Sequence, residues 1–386
     1  MALRVFFTAA DVSGDRHAAE MIGALRELEP GVMVEGLGGP RMAGAGARIF
    51  HETTAKAAMT FHAVKRVVEF GRLLRWTREH HLKEKPDLHV CVDSSGVNLR
   101  FAKVARQCGV PVLYYVAPQL WASRAGRMRL LRRDVGQVAC ILPFEEPYFR
   151  AHGVNATFVG HPLFDELPRD RKVASEVRAF GDSPRVGIVA GSRGAEVESN
   201  LPHLLDVAGM IGREFVGAKF LVPTTQQTDE RVRGIVGRQS PELRSRIEIK
   251  SDAFDELIPQ CDLCLCKSGT STLHVAAWGV PMIVVYRINP LLWHGAGRWI
   301  VRTRKIALVN ILAGNVDAVP EFVPWYGSNE PVARCAIGML RDAGKLAEQK
   351  KTLAKIIAPL DRPGASANVA RMAREILHAS RRGDIG

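Results

Sequence analysis

Short apolar runs alternate with segments of helical spacing along most of the chain. LRVFFTAA (3–10) reads as a buried strand and is followed by the turn Val12-Ser13-Gly14-Asp15. From His17 to Leu28, Ala18, Met21, Ile22 and Leu25 recur on one side of a helix. VMVEGLG (32–38) is a second strand ending in glycines, and residues 65–85 have the pattern of a long amphipathic helix. DLHVCVDS (87–94), VPVLYYVAP (110–118), VACILPF (138–144) and FVGHP (158–162) are further short apolar runs. A second alternating set follows: RVGIVAG (185–191) before a helix from about Leu201, then KFLVPTT (219–225), RIEIK (246–250), LCLCKSG (263–269) before another helix, and PMIVVYR (281–287). Strand–helix alternation of this kind predicts mostly parallel, doubly wound sheets.

A single core rarely grows to 386 residues, so two domains are expected. Residues 167–184 are polar, contain PRDRK and GDSP, and form the linker candidate. The predicted division is an α/β domain over 1–166, this linker, a second α/β domain over 185–330, and a helical tail over 331–386 that packs back on the domains. Two Rossmann-like halves of similar size suggest a cleft between them, with ligands at the carboxyl ends of the strands.

A net charge of +13 favours an anionic partner. Nucleic acid, an anionic membrane surface and a phosphorylated substrate all meet that condition; the absence of any nucleic-acid motif puts the last two ahead. Met1–Ala10 is too short for a signal peptide, and no run of about 18 uncharged apolar residues exists to span a membrane. The seven cysteines are unevenly spaced, which suits a reduced cytoplasmic compartment. Cys261, Cys264 and Cys266 lack a nearby fourth ligand, so they read as buried strand cysteines and no metal site is expected.

Two glycine turns, each between a strand and a helix, carry the candidate chemistry. In the first, Gly191, Ser192, Arg193 and Glu196, glycine allows close backbone approach and the following helix start offers free N–H groups to a phosphate. Arg193 can neutralise a diphosphate with bidentate bonds. The second turn, Ser268-Gly269-Thr270, repeats that logic, although Ser268 and Thr270 equally suit helix capping. In the first half, Ser13, Gly14 and Asp15 form a loop in which Asp15 either caps the next helix or meets a substrate. Asp93 ends an apolar strand, where a carboxylate can activate an acceptor or cap a loop. His161, in FVGHP, lies near the expected crossing between domains or is a satisfied buried histidine.

VSGD (12–15), GLGGPRM (36–42), YVAPQLWASR (115–124), LPFEEPYF (142–149), FVGHPL (158–163), GSRGAEV (191–197), SGTSTL (268–273), PMIVVYR (281–287) and VNILAG (309–314) together resemble the lipid-A-disaccharide synthase family over nearly the whole length. The resemblance implies a GT-B fold and an inverting transfer without metal or cofactor. The implied donor is UDP-2,3-diacylglucosamine, the acceptor 2,3-diacylglucosamine 1-phosphate, and UDP is released. It places Gly191, Ser192, Arg193, Glu196, Ser268, Gly269, Thr270, His274 and Asn310 on the nucleotide side. It also implies a cytoplasmic protein, peripheral on the inner membrane, and allows a homodimer.

Some positions depart from the family pattern. Asp11 stands where the family usually has Glu, Gly96 where it has a carboxylate, His274 where it has Glu, and Ala58-Met59-Thr60 replaces its VMG segment. Gly96 cannot act as a base, which leaves Asp93 first and Asp11 second as candidates. A weakened relative that binds a UDP-sugar or lipid without turnover is the alternative. Two basic, aromatic stretches, 59–85 and 291–305, suit either an anionic membrane interface or packing on the protein's own core.

Overall fold

The computed structural model describes residues 2–54, 63–122, 125–173, 176–287 and 305–382, apart from the side chains of 63–67 and 381–382. The chain forms two compact units, Met1–Glu166 with Arg362–Gly386, and Leu167–Asp361. The segment 331–386 therefore divides: helices Glu330–Leu340 and Ala343–Ile357 belong to the second unit, and helix Ala365–Arg382 to the first.

The first unit holds seven parallel strands: β1 (Arg4–Ala9), β2 (Met33–Gly38), β3 (Arg48–Glu52), β4 (Leu88–Val92), β5 (Val112–Tyr115), β6 (Gln137–Cys140) and β7 (Ala156–Phe158), in the order β3-β2-β1-β4-β5-β6-β7. Alternation along each strand sends side chains to opposite faces. Val5, Phe7 and Ala9 of β1 join Val90, Val92, Leu113 and Tyr115 on the face covered by helices Val12–Leu28 and Ala365–Arg382. Phe6, Cys91, Val112 and Tyr114 point the other way, into a core shared with helices Ser95–Gln107 and Met128–Asp134.

The second unit holds six parallel strands: β8 (Arg185–Val189), β9 (Lys219–Thr224), β10 (Ile247–Ser251), β11 (Leu263–Lys267), β12 (Met282–Arg287) and β13 (Glu321–Trp325), in the order β10-β9-β8-β11-β12-β13. Val186, Ile188, Phe220, Leu263, Leu265 and Ile283 pack under helices Gly194–Glu214 and Glu330–Leu340. Cys261, Cys264 and Cys266 are buried and free, and Cys264 Sγ fills the space a side chain at Gly187 would need.

In both sheets the winding reverses once, between β1 and β4 and between β8 and β11. Loops leaving neighbouring strands at such a reversal run to opposite faces and open a crevice at the strand ends, where ligands of this architecture bind.

The basic stretch 59–85 falls partly on residues 55–62, outside the described set, as do Ala58, Met59 and Thr60. Most of its described large apolar residues turn inward. Trp76 stacks on His80 with centroids 5.0 Å apart and meets Phe50 at 5.0 Å, while Phe70, Leu73 and Leu74 pack against the core beneath. Among the large apolar residues of the stretch whose side chains are described, only Val68 and Leu82 remain exposed. The stretch 291–305 lies outside the described residues except for Lys305, which pairs with Asp317. No helix among the described residues is long and apolar enough to cross a membrane.

Candidate functional site

Both switch points carry the residues singled out in the sequence. In the first unit, Asp11 follows β1 and Asp93 follows β4. Asp11 is the N-cap of helix Val12–Leu28, and its Oδ1 accepts from Gly14 N at 2.7 Å. Its other oxygen accepts from Ser94 Oγ at 2.6 Å, so the two strand-end loops are tied by one hydrogen bond. The helix starts five residues before the predicted His17 because Asp11, rather than Asp15, closes its first turn.

Asp93 and Ser94 both adopt positive φ, 55° and 42°. Such backbone costs energy outside glycine and persists only when its surroundings hold it. Three contacts do so here. Tyr114 Oη donates to Asp93 O at 2.6 Å, the buried Asn98 Nδ2 donates to the same oxygen at 2.9 Å, and Asp93 N donates to Tyr115 O at 3.0 Å. Asp93 Oδ1 then accepts from Ser94 N at 2.6 Å. Tyr114 and Asn98 were not singled out from sequence; the only signal was their polarity within apolar runs.

Asp15 has a different task from either sequence reading. Its buried carboxylate accepts from the amides of Gly39 at 2.8 Å, Arg41 at 3.0 Å and Met42 at 3.2 Å, capping the short helix Pro40–Gly44. A side chain at Gly39 would collide with that carboxylate. Asp15 is thus a buried anchor for the GGPRM turn, and both its oxygens are occupied. Ser13 Oγ lies 3.2 Å from His17 Nε2. His161 is buried, its Nδ1 accepts from Leu163 N at 3.2 Å, and its ring meets Phe164 edge-on. Burial, then the proximity of His17 and Arg16, pushes its pKa down to about 3, so it is neutral at pH 7. The neighbouring loop seats the last helix: Asp165 accepts from Ala365 N and Ser366 N, and Asn368 Nδ2 donates to Val159 O.

In the second unit, Gly191 has φ of 121°, and a Cβ there would lie 2.6 Å from Glu196 Oε2, so glycine is required twice over. Helix Gly194–Glu214 begins directly after Arg193, seven residues before the predicted start; Pro202 lies inside it. Glu196 Oε1 accepts from Lys267 Nζ at 2.9 Å and from Arg193 Nη1 at 3.4 Å, and Oε2 accepts from Ser192 N at 3.3 Å. Burial opposes the charge on Glu196, yet Lys267 and then Arg193 outweigh it and hold the carboxyl below its ordinary range. Lys267, the last residue of β11, also lies 5.0 Å over the Tyr286 ring. It bridges the two glycine turns. Its place one step before Ser268 was the legible clue.

Ser268 N donates to Val285 O and its Oγ to Ile306 O, while Gly269 has φ of 159°. Thr270 is the N-cap of helix Ser271–Ala277 but makes no side-chain cap bond, leaving its exposed hydroxyl to face solvent. His274 stacks on Phe254 at 4.2 Å, and its Nε2 sits 2.6 Å from Asp255 Oδ1, which also accepts from Trp278 Nε1. With Nε2–H given to Asp255, Nδ1 is the imidazole atom left to accept. Asn310 is fully buried and spends its amide on Val319 N, Val319 O and Glu321. Glu321 in turn accepts from the amides of Ile306 and Ala307. Asn310 therefore fixes the loop beside Ser268 and offers no free group of its own.

Two parallel α/β sheets with ligand loops at their switch points define the GT-B fold. Solved structures agree on the fold: the calicheamicin glycosyltransferase CalG4 matches with a TM-score of 0.62, 14% identity, and coverage of 98% of each chain. UDP-GlcNAc 2-epimerase from Neisseria meningitidis, bound to UDP-GlcNAc, matches with a TM-score of 0.61, 11% identity, and coverage of 97% of this chain and 99% of that one. The family model described as lipid-A-disaccharide synthetase matches residues 5–376, and the chain belongs to that family of glycosyltransferases in lipid A biosynthesis. Lipid-A-disaccharide synthase of Trichlorobacter lovleyi is 33% identical over 387 residues, covering 98% of both proteins.

Proposed function

We propose that the protein transfers diacylglucosamine from UDP-2,3-diacylglucosamine to 2,3-diacylglucosamine 1-phosphate, forming the lipid A disaccharide and releasing UDP. The observation that carries this reading is the pairing of loops across each switch point: carboxylates at one, a glycine–arginine–lysine cradle at the other. In this reading Asp93 takes the proton from the acceptor hydroxyl, which attacks the anomeric carbon opposite the leaving UDP, inverting it. The C–O bond to the diphosphate breaks with its electron pair on UDP. Arg193 is three-quarters exposed and bound only loosely to Glu196, so it is available to a diphosphate, and Lys267 adds a second positive charge. The positive φ of Asp93, held by Tyr114 and Asn98, supports a functional role, since such strain gathers at active sites. The UDP-sugar on the structurally similar epimerase supports the donor class. The positive net charge suits peripheral association with an anionic membrane where acylated substrates reside.

The test separates the two loops. Asp93→Asn is expected to lower turnover by about 10²–10⁴-fold with UDP affinity unchanged, the span of a general base. Arg193→Ala is expected to weaken UDP binding by roughly 30-fold or more, as for a charge-assisted contact of about 2–3 kcal/mol. Parental turnover in Asp93→Asn would make Asp93 structural and turn attention to Asp11. Parental UDP affinity in Arg193→Ala would remove the diphosphate from this turn.

A further inference from the structure

Besides Asp11 and Asp93, the first unit brings three metal-binding side chains together. His17 and Glu20 lie one turn apart on helix Val12–Leu28, and Glu166 comes from the short helix after the His161 loop. One ligand atom from each lies within 4.8 Å of the others, and His17 Nδ1 is 3.8 Å from Glu20 Oε2. Ligands on a tetrahedral Zn²⁺ with bonds of about 2.1 Å sit roughly 3.4 Å apart, so small rotations close the set.

Outer contacts already orient these ligands. Ser13 Oγ holds His17 Nε2, which aims Nδ1 at the carboxylates, Arg16 Nη1 donates to Glu166 Oε2 at 3.0 Å, and Glu166 shares a side-chain hydrogen bond with Glu20. This is how neighbouring hydrogen bonds fix metal ligands. His17 Nδ1 and Glu20 Oε2 are buried and have no hydrogen-bond partner. His161, 5% exposed, neighbours His17 and Arg16, and its Nε2 has no partner. Two carboxyl groups and one guanidinium meet here. His17 is buried, Glu20 half-buried and Glu166 exposed, so the cluster opens to solvent on one side.

We propose that His17 Nδ1, Glu20 and Glu166 bind a divalent cation of the zinc class, with an open position on the solvent side. An imidazole with two carboxylates suits Zn²⁺ or Co²⁺ better than Mg²⁺, which prefers an octahedral oxygen shell. The ion cross-links the first helix to the loop that seats the last one. It takes no part in the transfer step.

The test uses the full chain, without an affinity tag, stripped by chelator and titrated with Co²⁺ and Zn²⁺ in equilibrium dialysis with absorption spectroscopy. One equivalent of Co²⁺ with d–d bands of a four- or five-coordinate site is expected, displaced by Zn²⁺. Glu20→Gln and Glu166→Gln, both partly exposed and so compatible with folding, are each expected to weaken binding by at least about tenfold. Zn²⁺ is expected to raise the thermal midpoint of the parent and not of the double variant. The proposal is overturned if the parent binds no ion, or if the double variant binds Co²⁺ with the same affinity and spectrum.

Discussion

Lowering the pH from about 7.5 to 5 is expected to destabilise the first unit through its buried histidines. His81 is fully buried and lies 2.9 Å from His89, and burial followed by the charge of His80 pushes its pKa down to about 3. His161 is pushed to about 3 as well, and His89 is lowered strongly by burial and by His81. Histidine released from the fold titrates near 6.5. The folded pKa is depressed, so this stability is present above pH 6.5 and is lost as pH falls toward the folded values. Between pH 7.5 and 5, His81 and His161 each remove about 2 kcal/mol. Glu145 acts in the opposite sense. It is buried, accepts from Trp121 Nε1 at 2.9 Å and Leu142 N at 3.2 Å, and burial raises its pKa to about 7. Its contribution is present at low pH and lost as pH rises, so it returns about 2 kcal/mol over the same interval. The net expectation is a loss of about 2 kcal/mol, with His89 adding to it. Urea unfolding read by hydrogen exchange on β1 and β4 peptides isolates this unit. In Glu145→Gln the opposing contribution disappears, and the loss should grow to about 4 kcal/mol. Stability that does not change between pH 7.5 and 5, or a pH dependence identical in Glu145→Gln, would refute the reasoning.

Three further outcomes follow from particular contacts. Asp15→Ala leaves three backbone amides of the GGPRM turn without their acceptor and is expected to cost about 2–4 kcal/mol, measured as a fall in the urea midpoint. Gly96→Asp restores a carboxylate at an exposed position of the first turn of its helix, where an added Cβ meets nothing within 4 Å. It is expected to keep or raise stability and to raise turnover if the base limits the rate, and a large drop in the thermal midpoint would contradict the open geometry. Cosedimentation with anionic vesicles should weaken as salt rises, and equal binding to neutral vesicles would count against an electrostatic membrane contact.

Much of this fold is legible from periodicity, because parallel strands buried on both faces give continuous apolar runs. β1, β2, β4, β5, β6, β8, β9, β11 and β12 coincide with such runs, while β7 meets FVGHP only at Phe158. β3 does not, since RIFHE is half polar and lies at the sheet edge, and β13, EFVPW, is another edge strand. The early starts of helices Val12–Leu28 and Gly194–Glu214 were hidden because their first turns are glycine-rich loops whose helical form depends on tertiary contacts of Asp11 and Glu196. The candidate residues were chosen by type and position, and their division of labour was not legible in the sequence. Asp15 and Asn310 turn out to be buried anchors, and Lys267, Tyr114 and Asn98 emerge as their counterparts at the loops. Such roles rest on contacts between residues far apart in sequence, Glu196 with Lys267 and Tyr114 with Asp93, which spacing alone does not encode.

The most direct measurement is incubation of the purified chain with UDP-2,3-diacylglucosamine and 2,3-diacylglucosamine 1-phosphate, with products identified by mass. The proposed function predicts the acylated disaccharide 1-phosphate and UDP in equal amounts, with formation strongly reduced in Asp93→Asn. Absence of disaccharide while UDP-sugar binding persists would contradict it.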